Sequence, residues 1–457
     1  MEFVSKKSVA GMRKVRLSPT QIIAVVFASL ILLGTILLTL PISSRTGEVT
    51  GFLPSLFTAT SATCVTGLVM FDTWTQWNGF GQAVILCMIE IGGLGFMSAA
   101  SFVIFLFRKR VGLKERMLMA QALSVNDMAS VVRLQKIVIF GSLLVQAAGA
   151  LILTVHFWPQ YGAGQAIKWG IFHSVSSFCN AGFDIFGSLQ PGGSLTMFQS
   201  DPVVLLTLGA LLVIGGLGFF VWEEVIRIHN WKRFSVYTKL VLLMTGALIL
   251  AGAIGICLLE WNNPETLGHM PWYDKLLGGF FQSLTVRTAG FDALGQGGMT
   301  DGGKAWSMVL MLIGGSSGST AGGAKTVTMM VLVLFLWSRI RGKGSVSVFK
   351  HTVPDNQVLD AMTVVGIMIG LSVFGGLFIS ATSGIGFTDS LYEAVSALAT
   401  TGLTTGATTS LSIPAQILVI IYMYFGRVGI LTLSLGFLMG SQAQEHVRYA
   451  NTNLLIG

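Results

Sequence analysis

Apolar residues along the chain gather into eight runs long enough to cross a bilayer, which takes about 20 helical residues. They are Ile22–Leu40, Phe80–Phe107, Ile137–Trp158, Val203–Trp222, Leu240–Leu259, Trp306–Trp337, Ala361–Ile379 and Ile417–Met439. Within each successive pair a shorter apolar run intervenes: Leu53–Ser61, Ile167–Phe178, Leu276–Val286 and Leu391–Thr400. At about 1.5 Å per residue these short runs cover only half of a core about 30 Å thick. They are therefore expected to dip in and return. The first long run follows a basic tail, but its length of 19 residues exceeds the roughly 7–15 of a signal-peptide core, so it reads as a retained span.

After each short run comes a glycine in similar company: Val65-Thr66-Gly67, Asn180-Ala181-Gly182, Thr288-Ala289-Gly290 and Thr400-Thr401-Gly402. The glycines are 115, 108 and 112 residues apart. The chain thus reads as four copies of one unit: span, short re-entrant helix, glycine loop, span. A second glycine site recurs inside the last span of each unit, at Gly92, Gly215, Gly314 and Gly426. One such loop is an ordinary turn; four at matching offsets are a pattern.

Irregular backbone at membrane depth survives only where protein buries it or water lines it. Four loops converging on a pseudo-fourfold axis would direct carbonyl oxygens at a central file, where they can replace the hydration shell of K⁺. Glycine supplies positive φ and leaves room for an ion beside the backbone. The expected selectivity filter is Val65, Thr66, Gly67, Asn180, Ala181, Gly182, Thr288, Ala289, Gly290, Thr400, Thr401 and Gly402, with K⁺ held at backbone carbonyls. Asp184 and Asp292, two residues past two of the glycines, are either outer-mouth carboxylates that concentrate cations or solvated loop residues.

Composition fits this picture. Hydrophobic residues make up 53% and charged residues 11%, where a soluble domain carries about 25% charged. The net charge of +8 would permit a nucleic-acid partner, yet most basic residues fall in the tail, Arg108–Lys136, Arg227–Lys239 and Arg339–Lys350, all on the N-terminal side of the spans. By the positive-inside rule that side is cytoplasmic, with both termini. Four scattered cysteines suit packing, and the histidines form no metal motif. GGLGF at Gly92–Phe96 and Gly215–Phe219 lacks dinucleotide spacing, and no P-loop is present. Neither an enzyme nor a bound cofactor is expected.

The third unit departs from its siblings. Gly314–Ala324 reads GGSSGSTAGGA, and glycine costs a helix about 1 kcal/mol per residue. A break is predicted, with half-helices Trp306–Ile313 and Val327–Trp337. Gly314, Gly315, Ser316, Ser317, Gly318, Ser319, Thr320, Gly322 and Gly323 read either as a gate below the filter or as a close helix contact. Arg427 replaces the second glycine of the fourth unit and is expected to hold loop carbonyls or hydroxyls, or to pair with Glu90. Lys325 either lines the inner vestibule or snorkels. Arg287 is expected behind the filter.

With these motifs assembled, the chain resembles the Trk/Ktr/HKT superfamily of cation transporters from Ile22 to Met439, and most closely its bacterial KtrB-type membrane subunits. The residues that carry the resemblance are the four loop glycines, IGGLGF in two spans, GGSSGSTAGG, and Gly-Arg-Val-Gly at 426–429. The resemblance implies K⁺ transport, some members being Na⁺-dependent, and a homodimer with one pore per protomer. It also implies a KtrA-type cytoplasmic octameric ring of RCK domains that binds ATP or ADP. It makes Gly314–Gly323 the gate and Arg427 its facing arginine. Plant relatives that prefer Na⁺ carry serine at the first filter position; Gly67 stands here.

The expected fold is all-α: eight transmembrane helices in four pseudo-fourfold repeats around one pore. Residues 1–19 form a tail, and the repeats occupy 20–110, 111–228, 229–342 and 343–457. The expected function is K⁺ uptake across a bacterial inner membrane. The alternative is a Na⁺-coupled secondary transporter with an occluded midplane site.

Overall fold

Helix follows the apolar runs closely. In the computed structural model, which describes residues 19–95 and 131–429, the first run forms α1 (Pro19–Thr39) and the short run after it α2 (Phe52–Thr63). A single turn, α3 (Thr73–Gln76), precedes α4 (Gly79–Leu94). The tail, the later part of the second run and the end of the eighth lie outside the described residues, as does most of Arg108–Lys136.

The second unit begins with α5 (Val131–Phe178), where Gly162 takes φ 77° and ψ 161° and divides a long arm from a short one. The division falls between the two apolar runs expected there. α6 (Pro202–Gly216) and α7 (Phe219–Ile228) follow, bent by 93°. The third unit holds α8 (Val236–Glu260), α9 (Trp272–Thr285), α10 (Asp301–Leu312) and α11 (Thr326–Ile340). A two-residue-per-strand hairpin, Ser347–Val348 against His351–Thr352, leads to the fourth: α12 (Asp355–Ser383), α13 (Phe387–Leu398) and α14 (Ile413–Val428).

By length and composition α1, α5, α8 and α12 are able to cross a membrane, and α6 with α7 makes a fifth if the bent pair is one span. These are the first helices of the four units and the last of the second. Their outward faces are apolar: Leu32, Leu144, Leu151, Leu250, Leu258 and Leu377 are all exposed. Burial is greatest instead in the short helices, where Phe57–Thr63 and Tyr392–Leu398 are buried without interruption.

Each last helix starts on a side-chain cap, which satisfies amides that the first turn leaves unpaired. Asn78 caps α4, Asp201 caps α6, Thr300 caps α10 and Ser412 caps α14. Packing then closes a circle. α4 lies against α5, α6 against the short helix α9, α10 against the short helix α13, and α14 against the short helix α2. The last helix of each unit thus rests on the next unit, and the fourth rests on the first.

The glycine-rich break is present, with α10 ending at Leu312 and α11 starting at Thr326. A second break, between α6 and α7, contradicts the continuous helix expected over Val203–Trp222. Gly218 sits there at φ 90°, a conformation that costs other residues more than glycine. The two breaks fit each other. The last carbonyls of α6 have no partner within their own helix, and the third-unit segment supplies it: Thr320 N donates to Gly215 O (3.3 Å), Ser316 N to Gly216 O (3.1 Å), and the Ser316 hydroxyl to Leu217 O. In return Gly318 O accepts from Phe219 N (2.9 Å).

Candidate functional site

The four loops share one backbone. Val65, Asn180, Thr288 and Thr400 have φ of 57°, 59°, 62° and 51°, and two residues later Gly67, Gly182, Gly290 and Gly402 have φ of 96°, 68°, 82° and 91°. Left-handed φ is uncommon for any non-glycine residue and costs a β-branched one most, so Val65, Thr288 and Thr400 hold strain of order 1–3 kcal/mol each. Strain repeated at four equivalent points is set by the surroundings.

Those surroundings begin at the end of each short helix. Thr66 N, Ala181 N and Thr401 N each donate 2.8 Å bonds to the carbonyls of Ser61, Ser176 and Ser396, and Ala289 N donates to Thr285 O at 3.0 Å. The serine side chains add a second tie. Ser61 Oγ accepts from Gly67 N and Ser396 Oγ from Gly402 N, both at 3.0 Å, while Ser176 Oγ donates to Phe183 O at 2.7 Å. In the third unit Thr285 takes this place, donating to Phe291 O at 2.7 Å. A serine six residues before the glycine in three of four units was a legible signal that the glycine pattern overshadowed.

The loops meet in a closed ring. A methyl group added at Gly67 would lie 2.5 Å from Ala181 O, at Gly182 2.7 Å from Ala289 O, and at Gly290 2.6 Å from Thr401 O; at Gly402 it would collide with Thr66 O. Each glycine therefore abuts the carbonyl that precedes the next unit's glycine. No side chain fits between them, and backbone oxygens from all four units stand together.

The second glycine set has one physical reason in three units. A Cβ at Gly92, Gly215 or Gly426 would collide with the carbonyl of Thr63, Phe178 or Leu398, each four residues before its loop glycine. These glycines admit the carboxyl ends of the short helices. Gly314 faces Gly322 and Gly323 instead, within its own broken segment.

Arg427 joins that segment to two other units. Its Nη1 donates to Thr320 O and its Nη2 to the carbonyls of Gly92 and Gly93, the latter at 3.0 Å. Of the two partners expected for it, carbonyls rather than Glu90 are the ones found, one in the glycine-rich segment and two at the end of α4. Glu90 accepts from Gln146 Nε2 (2.9 Å) and Cys179 Sγ (3.3 Å) instead. Lys325 Nζ donates to Ala321 O at 2.8 Å, and Tyr237, absent from the sequence expectations, donates its hydroxyl to Ser317 O at 2.9 Å. Arg287 is buried behind the third loop, against a small cavity it shares with Asn180, Thr245, Gly216 and Gly315.

Asp184 and Asp292 are tied to the backbone that follows their loops. Asp184 accepts from Phe186 N at 3.2 Å, and Asp292 from the amides of Leu294, Gly295 and Gln296 at 2.8–3.1 Å. Two further braces carry no sequence motif: His173 Nε2 accepts from Ile185 N (3.2 Å), and Glu393 Oε1 from Thr405 N (3.2 Å). Both lie nine residues before the loop glycine and hold the amide three residues after it, in the second and fourth units. Among the described residues no group of three or more His, Cys, Asp or Glu is placed to hold a metal ion.

A helical chain with several membrane-length apolar helices and a ring of backbone oxygens at its centre defines a multi-pass membrane protein. Residues 10–447 match the family model described as TrkH: Cation transport protein, and the chain belongs to that family. It is 38% identical to the potassium/sodium uptake protein NtpJ of Enterococcus hirae over 97% of this chain and 98% of that one. It is also 38% identical to the Ktr system potassium uptake protein B of Bacillus subtilis, with 97% and 98% covered. Among solved structures, the potassium transporter TrkH of Vibrio parahaemolyticus superposes with a TM-score of 0.70 at 18% identity, covering 93% of this chain and 86% of that one. At that identity the likeness establishes the fold.

Proposed function

We propose that this chain is the K⁺-conducting membrane subunit of a Ktr-type uptake system. Eight spans would form four pore repeats, with the last helices of the first, third and fourth units completing spans alongside the five of sufficient length. Ions would shed water onto the carbonyls of Val65–Gly67, Asn180–Gly182, Thr288–Gly290 and Thr400–Gly402. They would then pass a gate formed by Gly314–Ala324 with Lys325 and Arg427. The observation that carries this reading is the closed ring of the four glycine loops, since carbonyl oxygens in such a ring substitute for hydration water.

Two relatives bear on the proposal. A Ktr system protein B is one component of a system, which supports a cytoplasmic regulatory partner; on the family resemblance we assign an octameric, ATP- or ADP-binding ring, and a homodimeric membrane subunit with both termini cytoplasmic. NtpJ is named for potassium and sodium, which keeps Na⁺-coupled transport as a second reading.

The test is ⁸⁶Rb⁺ uptake into proteoliposomes by the wild type and by a variant lacking residues 315–322. Faster basal uptake in the variant supports the gate, whereas normal or abolished uptake in folded protein overturns it. Uptake that stops without Na⁺ on the K⁺ side favours the coupled mechanism.

A further inference from the structure

We propose that Thr320 is a positioning residue that ties the backbone of the second loop to the glycine-rich segment, so that gate position and ion discrimination are coupled through one hydrogen bond. The inference rests on the filter and gate reading above and adds a link between them.

Thr320 is fully buried, and each of its polar groups goes to a different element. Its amide donates to Gly215 O at the end of α6 (3.3 Å), and its carbonyl accepts from Arg427 of α14. Its hydroxyl lies 2.9 Å from Asn180 Oδ1 and 3.2 Å from Phe178 O. A hydroxyl has one proton to donate, so both acceptors share it, and both belong to the second loop or the helix end that launches it. The β-branched side chain has few χ1 options. Displacing the segment therefore carries the hydroxyl away from Asn180.

Asn180 is one of the four left-handed residues that precede the loop glycines. At the equivalent position the other units have Val65, Thr288 and Thr400. Val65 has no polar side chain, and the Thr288 and Thr400 hydroxyls are buried without a protein partner. The fourth loop touches the segment too, since Gly322 lies against the Thr400 side chain, but without a hydrogen bond from that hydroxyl. Among the described residues, the second loop alone is hydrogen-bonded through its left-handed residue to the segment.

Gly215 leaves space for this tie. A Cβ there would lie 2.9 Å from Thr320 Oγ1 and 3.0 Å from Asn180 Oδ1, and would strike the Phe178 carbonyl. The second-unit glycine thus admits three oxygens at once, whereas Gly92 meets the backbone of Thr63 and Gly426 meets the Leu398 carbonyl and the Thr400 methyl, neither with a side-chain oxygen among its nearest atoms.

The experiment compares ⁸⁶Rb⁺ with ²²Na⁺ uptake, and the KM with the maximal rate, for purified wild type, Thr320→Val, Thr320→Ser, Asn180→Thr and the Thr320→Val/Asn180→Thr double variant. Valine keeps the shape and removes the hydroxyl. Threonine at 180 reproduces what the third and fourth units already hold in the same backbone, which keeps the test available if Thr320→Val does not fold. Loss of one buried hydrogen bond predicts about a five-fold fall in Rb⁺ over Na⁺ discrimination for either single change. The double variant should fall no further, and Thr320→Ser should retain discrimination. Faster uptake with unchanged discrimination would overturn the coupling while leaving the gate in place. Additive losses in the double variant would overturn it as well. The gate itself stands or falls separately, on the 315–322 deletion.

Discussion

Arg427 and Gly92 stand 335 positions apart in the chain, yet the arginine's Nη2 donates to the Gly92 carbonyl. The same guanidinium holds the carbonyls of Gly93 and Thr320. Carbonyls at the end of α4 find no partner within their own helix, and a planar fork of donors is suited to reach two elements at once.

Replacing Arg427 with alanine should free the Thr320 carbonyl and raise basal ⁸⁶Rb⁺ uptake. Hydrogen bonds to a charged group contribute roughly 1.5–3 kcal/mol, so at least a ten-fold rise is expected. Arg427→Lys, with one compact charge, should fall between the two. Unchanged uptake by folded Arg427→Ala would count against the gate.

Gly67→Ser should weaken K⁺ over Na⁺ discrimination. At φ 96° the new side chain is strained, and its Cβ would press on Ala181 O, so two adjacent loops shift. Competition of Na⁺ against ⁸⁶Rb⁺ in proteoliposomes measures it, and wild-type selectivity would reject the assignment.

Ser396→Ala removes the acceptor for Gly402 N and leaves a buried amide unpaired. That costs about 1–3 kcal/mol, read as a lower thermal midpoint; Ser61→Ala should behave alike in the first unit. Ser396→Thr, which keeps the hydroxyl, should recover most of the loss.

External pH should alter ion capture through Asp184. Burial, followed by the nearby Asp72 carboxylate, pushes the Asp184 carboxyl up to about 7, against the opposing pull of Phe186 N–H and the Ser194 hydroxyl. The group is neutral below that pH and charged above it. The KM for K⁺ should therefore rise as external pH falls from 8 to 6, and Asp184→Asn should flatten the profile at the higher KM. An unaltered profile in Asp184→Asn would remove Asp184 from the mouth.

Much of this was legible because apolar run length and glycine recurrence are strong local signals. The short helices, the Gly162 boundary and the 313–325 break all follow from them. The α6–α7 bend was not: Val203–Trp222 is apolar but for Thr207, and Gly218 alone cannot announce that a segment 100 residues later will supply its hydrogen bonds. The partners of Arg427 also escaped selection, since spacing left Glu90 and the loop carbonyls equally in reach. His173 and Glu393 occupy matching places with unlike chemistry, and no residue-type pattern links an imidazole to a carboxylate. Such features depend on distant backbone groups meeting, which periodicity does not encode.

The ring of glycines has a direction. Each abuts the loop of the following unit, and the last abuts the first. Four identical chains assembled around an axis would repeat one seam four times, and any inherited change would strike every seam together. Here the seams are Gly67 with Ala181, Gly182 with Ala289, Gly290 with Thr401 and Gly402 with Thr66, each encoded separately. A single codon change can retune one joint while the other three keep their fit, so a ring closed within one chain is adjustable one quarter at a time.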